Sequence, residues 1–201
     1  MNAVVFLADG FEEVEALTPV DYLRRAGVSV ELVAVYSADK NPLLVTSSHS
    51  VRVVADVTLT EYLLRAQIPD CIFFPGGMPG SKNLAANQAL LEHAVTVAGQ
   101  GKIVAAICAA PVVVLGKAGL LKGKQYVCYP GMDAEIPQFC GADWAEHTKG
   151  CALHADSPFV TDGTIVTGRG AGAAEEFAME LVRLLCGAEK ARAVHDATCQ
   201  R

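Results

Sequence analysis

The sequence has no apolar run that could span a bilayer, no block of basic residues and no CxxC pair. It also has no internal repeat and no stretch rich in proline, glycine or serine that would divide it into two domains. Each absence removes a class of function. The longest apolar run, Ile103 to Leu115, is interrupted by Pro111 and stops at Gly116-Lys117, short of the roughly 20 residues a membrane-spanning helix needs. The opening MNAVVFLADG lacks a basic n-region and reaches Asp9 too early for a secretory signal, which predicts a cytoplasmic protein without a membrane partner. With 16 Lys+Arg against 22 Asp+Glu the net charge is −6, so nothing balances a phosphate backbone and nucleic acid is not an expected partner. The seven cysteines are an odd number, which speaks against a disulfide framework. Most of them are expected to be reduced, buried and inert.

What is present points to one globular domain over residues 1–201. At this length a chain buries roughly 70% of the surface it would expose when unfolded, and 52% apolar residues suffice for such a core. Short runs rich in Val, Ile and Phe alternate with helix-like segments. Strands are expected over Ala3–Ala8, Val28–Val35, Cys71–Phe74, Ile103–Ile107 and Thr164–Thr167, with a further short one over Gln125–Cys128. Two short strands between Leu43 and Val54 are joined by the turn Ser47 to Ser50, and Asp162-Gly163 marks a second hairpin. Thr18 and Pro19 read as the start of the first helix, which ends near Gly27. Further helices are expected over Leu59–Ala66, Gln88–Ala98, Ala109–Lys117 and Ala173–Cys186, while Tyr129 to Asp156 has weak periodicity. Strands that are apolar throughout, each followed by a helix, predict an α/β sandwich: a mostly parallel sheet with helices on both faces.

In such sheets ligands bind outside the carboxyl ends of the strands. Four of those ends carry unusual residues: Asp9-Gly10, Pro75-Gly76-Gly77, Cys108 and Gly168-Arg169-Gly170. Cys108 follows one strand directly and precedes a helix opened by Ala109-Ala110-Pro111. Ala106 and Ala110 stand where a nucleophile elbow needs small residues, and a helix N-terminus favours a thiolate. The competing reading is a buried structural cysteine. No histidine stands beside it, so proton transfer falls to the cluster Glu12, Glu13 and Glu15. Glu12 and Glu13 are ordinary for a helix N-terminus. Glu15, between Val14 and Ala16, faces inward, where a carboxyl near a thiolate would remain protonated. Gly76 and Gly77 can bring backbone close to a ligand and, with the Ala109 N–H, form an oxyanion hole, although a plain turn explains them equally. Arg169 closes the pocket or forms a salt bridge. A metal alternative uses His147, Cys151 and His154, with Glu146 and Asp156 nearby, but their spacing fits no zinc signature. No metal and no cofactor is expected.

The segments ADGFEEVEALTPVDYLRRAG (8–27), FFPGGMPGSKNL (73–84), AAICAAPVVVL (105–115) and TGRGAGAAEEFA (167–178) resemble the DJ-one/ThiJ branch of the ThiJ/PfpI superfamily, in particular its YajL-like, Parkinson-associated protein deglycase group. The resemblance runs over nearly the whole chain. It implies a flavodoxin-like three-layer sandwich, a homodimer, and an easily oxidised nucleophile at Cys108 with Glu15 as its protonated partner. It further implies oxyanion N–H groups from Gly77 and Ala109, and basic residues at Arg25 and Arg169 near the dimer interface and pocket rim. Members are glutathione-independent glyoxalases, deglycases of glycated proteins, oxidative-stress sensors and chaperones. Three positions depart from the pattern. Tyr129-Pro130 stands where many members carry His-Pro, Ala109 where the protease-like branch carries His, and Ala171 where the family has Pro. Tyr129 can donate a hydrogen bond but is no base near neutral pH. The expected activity is therefore cysteine-dependent turnover of a small 2-oxoaldehyde, such as methylglyoxal, or of its early adducts on protein side chains. The alternative is a non-enzymatic redox sensor or chaperone that works through oxidation of Cys108.

Overall fold

The computed structural model of the protein describes residues 1–200. In chain order the first half runs β1 (Asn2–Ala8), α1 (Glu13–Arg25), β2 (Ser29–Tyr36), β3 (Leu44–Thr46), β4 (Arg52–Val54), β5 (Val57–Thr58), α2 (Leu59–Leu64), β6 (Cys71–Phe74), α3 (Gly80–Ala85) and α4 (Gln88–Gly99). The second half runs β7 (Ile103–Ile107), a wide π-helical turn over Pro111–Gly116, β8 (Gln125–Tyr126), α5 (Ile136–Cys140), α6 (Trp144–His147), β9 (Ala152–Leu153), β10 (Phe159–Asp162), β11 (Ile165–Gly168), α7 (Ala174–Cys186) and α8 (Ala188–Ala197). Seven strands form one sheet in the order β10-β11-β7-β6-β1-β2-β5. All neighbours pair in parallel except β10 with β11, whose short turn at Gly163 makes them a hairpin. The expected convergence follows directly: the carboxyl ends of β1, β6, β7 and β11 share one edge.

The strands are apolar throughout because both faces of the sheet are covered. Successive side chains point to opposite sides, so Phe73 and Phe74 serve different cores. One core joins Val5, Leu7, Phe73, Ala105, Ile107 and Val166 to Leu23 of α1 and to Phe177 and Leu181 of α7. The other joins Phe6, Ile72, Phe74 and Val104 to Leu90, Ala94 and Val97 of α4 and to the buried turn Val112–Leu115. Phe6 stacks on Phe74 at 5.4 Å between ring centroids, and Phe73 meets Phe177 edge-on at 6.3 Å. Burying an aromatic ring of this size contributes about 2–3 kcal/mol. The site edge thus stands on a sheet clamped from both sides.

Four expectations are corrected. Helix α1 begins at Glu13, not after Thr18: the Glu12 carboxylate caps it by accepting the Glu15 N–H at 2.7 Å, and Pro19 lies inside the helix. The strand expected over Gln125–Cys128 is only Gln125–Tyr126, and it pairs with β9 in a small separate sheet. The segment Pro111–Gly116 coils more widely than an α-helix. The helix expected after Gly77 is split into α3 and α4, and helix α8 was not expected. No helix among the described residues is long and apolar enough to cross a membrane.

Candidate active site

Cys108 sits immediately after β7, and its backbone is left-handed, with φ +67°. A non-glycine residue there costs on the order of 1–2 kcal/mol, so its surroundings must impose the conformation. They do. The Cys108 N–H donates to the Gly168 carbonyl at 2.9 Å, and the Cys108 carbonyl accepts the Tyr129 N–H at 2.8 Å. Both backbone groups of the pivot residue are therefore held, one by the end of β11 and one by the loop after β8. Ala106 and Ala110 are fully buried on either side, and the small residues the elbow needed are where the sequence placed them.

Glu15 reaches the same point from α1. It is 1% exposed, and one carboxylate oxygen accepts the Gly76 N–H at 2.9 Å. A Cβ on Gly76 would lie 2.5 Å from Glu15 Oε2 and 2.6 Å from Cys108 Cβ, so only glycine lets the pair meet there. Gly77, at φ +84°, presses equally close to Gly10 and Glu12 and locks the loop after β6 against the loop after β1. Asp9 anchors this edge further. Its carboxylate accepts the N–H of Thr46 at 2.7 Å and of Ala38 at 2.6 Å, and Asn83 donates to its carbonyl at 2.8 Å.

Burial raises the Glu15 carboxyl from 4.5 to about 7, with the charge on Glu12 adding to the rise. The Cys108 side chain and the N–H groups of Gly76 and Ala171 act in the opposite direction. The expectation of a thiol lowered simply by a helix end is corrected. Burial pushes the Cys108 thiol up, the Glu15 charge pushes it further, and the N–H groups of Gly77 and Ala109 pull it back. The Glu15 carboxyl is the first of the two to give up its proton, near pH 7, while the thiol holds its proton to higher pH.

The other expected residues divide. The backbone N–H groups of Gly77 and Ala109 favour the charged form of the Cys108 sulfur. Gly76 is not a free oxyanion donor, because its N–H already serves Glu15. Tyr129 lies at the mouth, exposed, with its ring 3.6 Å from where a Cβ on Gly170 would stand. Arg169 lines the cavity beside Tyr129 and Gly170. Arg25 is not at the pocket rim: it pairs with Asp21 at 2.7 Å in the last turn of α1, about 15 Å along the helix axis from Glu15. The metal alternative fails on placement. The His147 ring lies against Gly119, His154 bonds Gln125, and Cys151 faces Tyr126. Among the described residues the one group of three or more that brings ligand-type atoms within 4.8 Å of one another is Glu12, Glu13 and His49, and there His49 Nδ1 lies 3.1 Å from the Glu13 carboxylate. Two participants escaped sequence reasoning, the Gly168 carbonyl and the Ala171 N–H. Their signal in the sequence is the pair of glycines at 168 and 170.

The family model described as "DJ-1/PfpI family" matches residues 1–184. The Parkinson disease protein 7 homolog of Danio rerio is 35% identical over 194 residues, which covers 96% of this chain and 94% of that one. A deglycase of Pyrococcus abyssi is 29% identical over 185 residues, covering 92% and 99%. Protein DJ-1 homolog B of Arabidopsis thaliana is 33% identical, and this chain spans 40% of its length. The solved structure of oxidized Toxoplasma gondii DJ-1 superposes with a TM-score of 0.80 at 34% identity, over 98% of this chain and 97% of that one.

Proposed function

Because the chain belongs to the DJ-1/PfpI family, we propose that it is a cysteine-dependent enzyme acting on methylglyoxal or on its early adducts with protein side chains. The observation that supports this most is the meeting of a backbone-strained Cys108 with a carboxyl that keeps its proton up to about pH 7. In the singly protonated pair the reactive form carries the proton on Glu15 and the charge on sulfur, with the Gly77 and Ala109 N–H groups facing that charge.

The sulfur attacks the aldehyde carbon and a C–S bond forms. The carbonyl electron pair moves to oxygen, which takes the Glu15 proton and yields a hemithioacetal. The Glu15 carboxylate then moves the proton from that carbon to the neighbouring carbon, while the hydroxyl proton passes to the former ketone oxygen, so that the former ketone becomes an alcohol and the former aldehyde carbon a thioester. Water cleaves the C–S bond, the thiol is restored, and lactate leaves. No external oxidant or reductant is needed, since one carbon is oxidised as its neighbour is reduced. An amine adduct joins this sequence once the amine departs with its proton. Tyr129 stands exposed at the mouth, which leaves the transfer to Glu15.

The test is steady-state loss of methylglyoxal with purified protein. Turnover is expected in the wild type and is expected to disappear in Cys108→Ala and Glu15→Gln; turnover that survives either change rejects the mechanism. The second reading is a sensor in which peroxide converts Cys108 to a sulfinate that accepts a hydrogen bond from protonated Glu15. It is favoured if methylglyoxal is not consumed while mild peroxide adds two oxygens to Cys108 alone. In either reading the protein works as a homodimer in the cytoplasm.

A further inference from the structure

A cavity of about 520 Å³ opens along the Gly170–Ala171 side of the site, between Tyr129, Arg169 and Glu176. Its size falls among clefts that hold drug-sized ligands, roughly 300–1,000 Å³, far more than a three-carbon aldehyde fills. Arg169 is tied to the reacting pair through both chain neighbours. Gly168 accepts the Cys108 N–H at 2.9 Å, and a Cβ on Gly170 would stand 4.0 Å from Glu15 Oε1. Beyond Gly170, the Ala171 N–H faces Glu15 as well. Among the described residues of a single protomer no ion pair includes Arg169, although it is half-buried. A half-buried guanidinium without a carboxylate partner is incompletely compensated, and it presents a planar fork of donors matched to a carboxylate.

Asp156 and Glu176 also line the cavity, but both are exposed. Solvent and salt weaken exposed charges more than the half-buried Arg169, so the cation sets the preference within the cavity. We propose that Arg169 is a specificity-determining residue that selects carbonyl substrates whose non-reacting portion carries a carboxylate. The preferred class is then an aldehyde adduct on a carboxylate-bearing carrier rather than the free aldehyde. This rests on the carbonyl chemistry proposed above, and it is tested independently of turnover.

The full-length protein is alkylated with iodoacetate and with iodoacetamide, which differ in the carboxylate but share the iodide leaving group. Modification of Cys108 is followed by peptide mass. Relative to the same ratio for a free thiol, the iodoacetate-to-iodoacetamide rate ratio is expected to fall roughly five- to tenfold in Arg169→Gln and to return in large part in Arg169→Lys. A ratio within one variant cancels any loss of folded protein. In the second arm, hemithioacetals of methylglyoxal with N-acetylcysteine and with its neutral methylamide are compared by kcat/KM. The wild type is expected to prefer the carboxylate and Arg169→Gln to lose the preference. An unchanged alkylation ratio in Arg169→Gln overturns the carboxylate subsite. Absent turnover of both adducts, with the alkylation ratio still falling, overturns the carbonyl reaction and leaves the subsite standing.

Discussion

Two cysteines at opposite ends of neighbouring strands separate the chemistry from its surroundings. Cys71 opens β6 and Cys108 follows β7, and burial pushes both thiols up. Cys71 is fully buried in ordinary strand backbone, its sulfur 3.7 Å from the Ile72 carbonyl, and the charge on its neighbour Asp70, paired with Lys102 at 2.8 Å, adds to the rise. It has no proton donor and no ring of N–H groups. Cys108 has the left-handed backbone, the Gly77 and Ala109 N–H groups, and a carboxyl that titrates near neutrality. A low-dielectric setting alone silences a thiol. A nucleophile also needs groups that stabilise its anion, and the Gly77 and Ala109 N–H groups come from the ends of β6 and β7, which pair in parallel.

The difference can be broken at its narrowest point. Gly76→Ala places a methyl group within 2.6 Å of both the Glu15 carboxylate and Cys108 Cβ, and the backbone between them cannot yield cheaply. Methylglyoxal turnover and Cys108 alkylation are expected to fall by about 10²-fold or more, as for an ångström-scale misplacement. Near-normal alkylation would mean that the close approach is not what activates the thiol.

A titration sharpens the same contrast. Alkylation of Cys108 is expected to rise through an inflection near pH 7, where the pair loses its first proton, and Glu15→Gln is expected to abolish that inflection. Stability carries the corresponding sign. The folded state favours the neutral Glu15 carboxyl, so its contribution is complete below 4.5 and is lost as pH rises through about 7. The wild type should therefore lose on the order of 3 kcal/mol across that window that Glu15→Gln does not lose. Urea melts of both proteins at pH 4.5 and pH 8 measure it, and parallel pH dependence would refute the buried neutral carboxyl. The smallest effect belongs to the silent thiol. Cys71→Ala should change turnover less than twofold and cost about 1 kcal/mol of stability, through a small cavity and lost packing.

Much of this was legible before the structure. Ala106-Ile107-Cys108-Ala109-Ala110 announced an elbow because the pivot tolerates only small neighbours, and the apolar strands announced a sheet covered on both faces. The start of α1 was misread because Thr18-Pro19 has the ordinary chemistry of a helix start. The actual cap is the longer carboxylate of Glu12, and Pro19 is accommodated inside the helix. The direction of the Cys108 shift was not legible, since the helix end is local whereas burial and Glu15 arise from long-range packing. The segment from Tyr129 to Asp156 could not be placed because α5, α6 and β9 are each five residues or fewer and carry no clear periodicity.

The twist forced on residue 108 has a mutational corollary. A side chain there is tolerated against its own conformational preference, whereas glycine would relax the backbone at no steric expense. Cys108→Gly is therefore expected to relieve that strain while removing the sulfur from the edge where four strand ends meet.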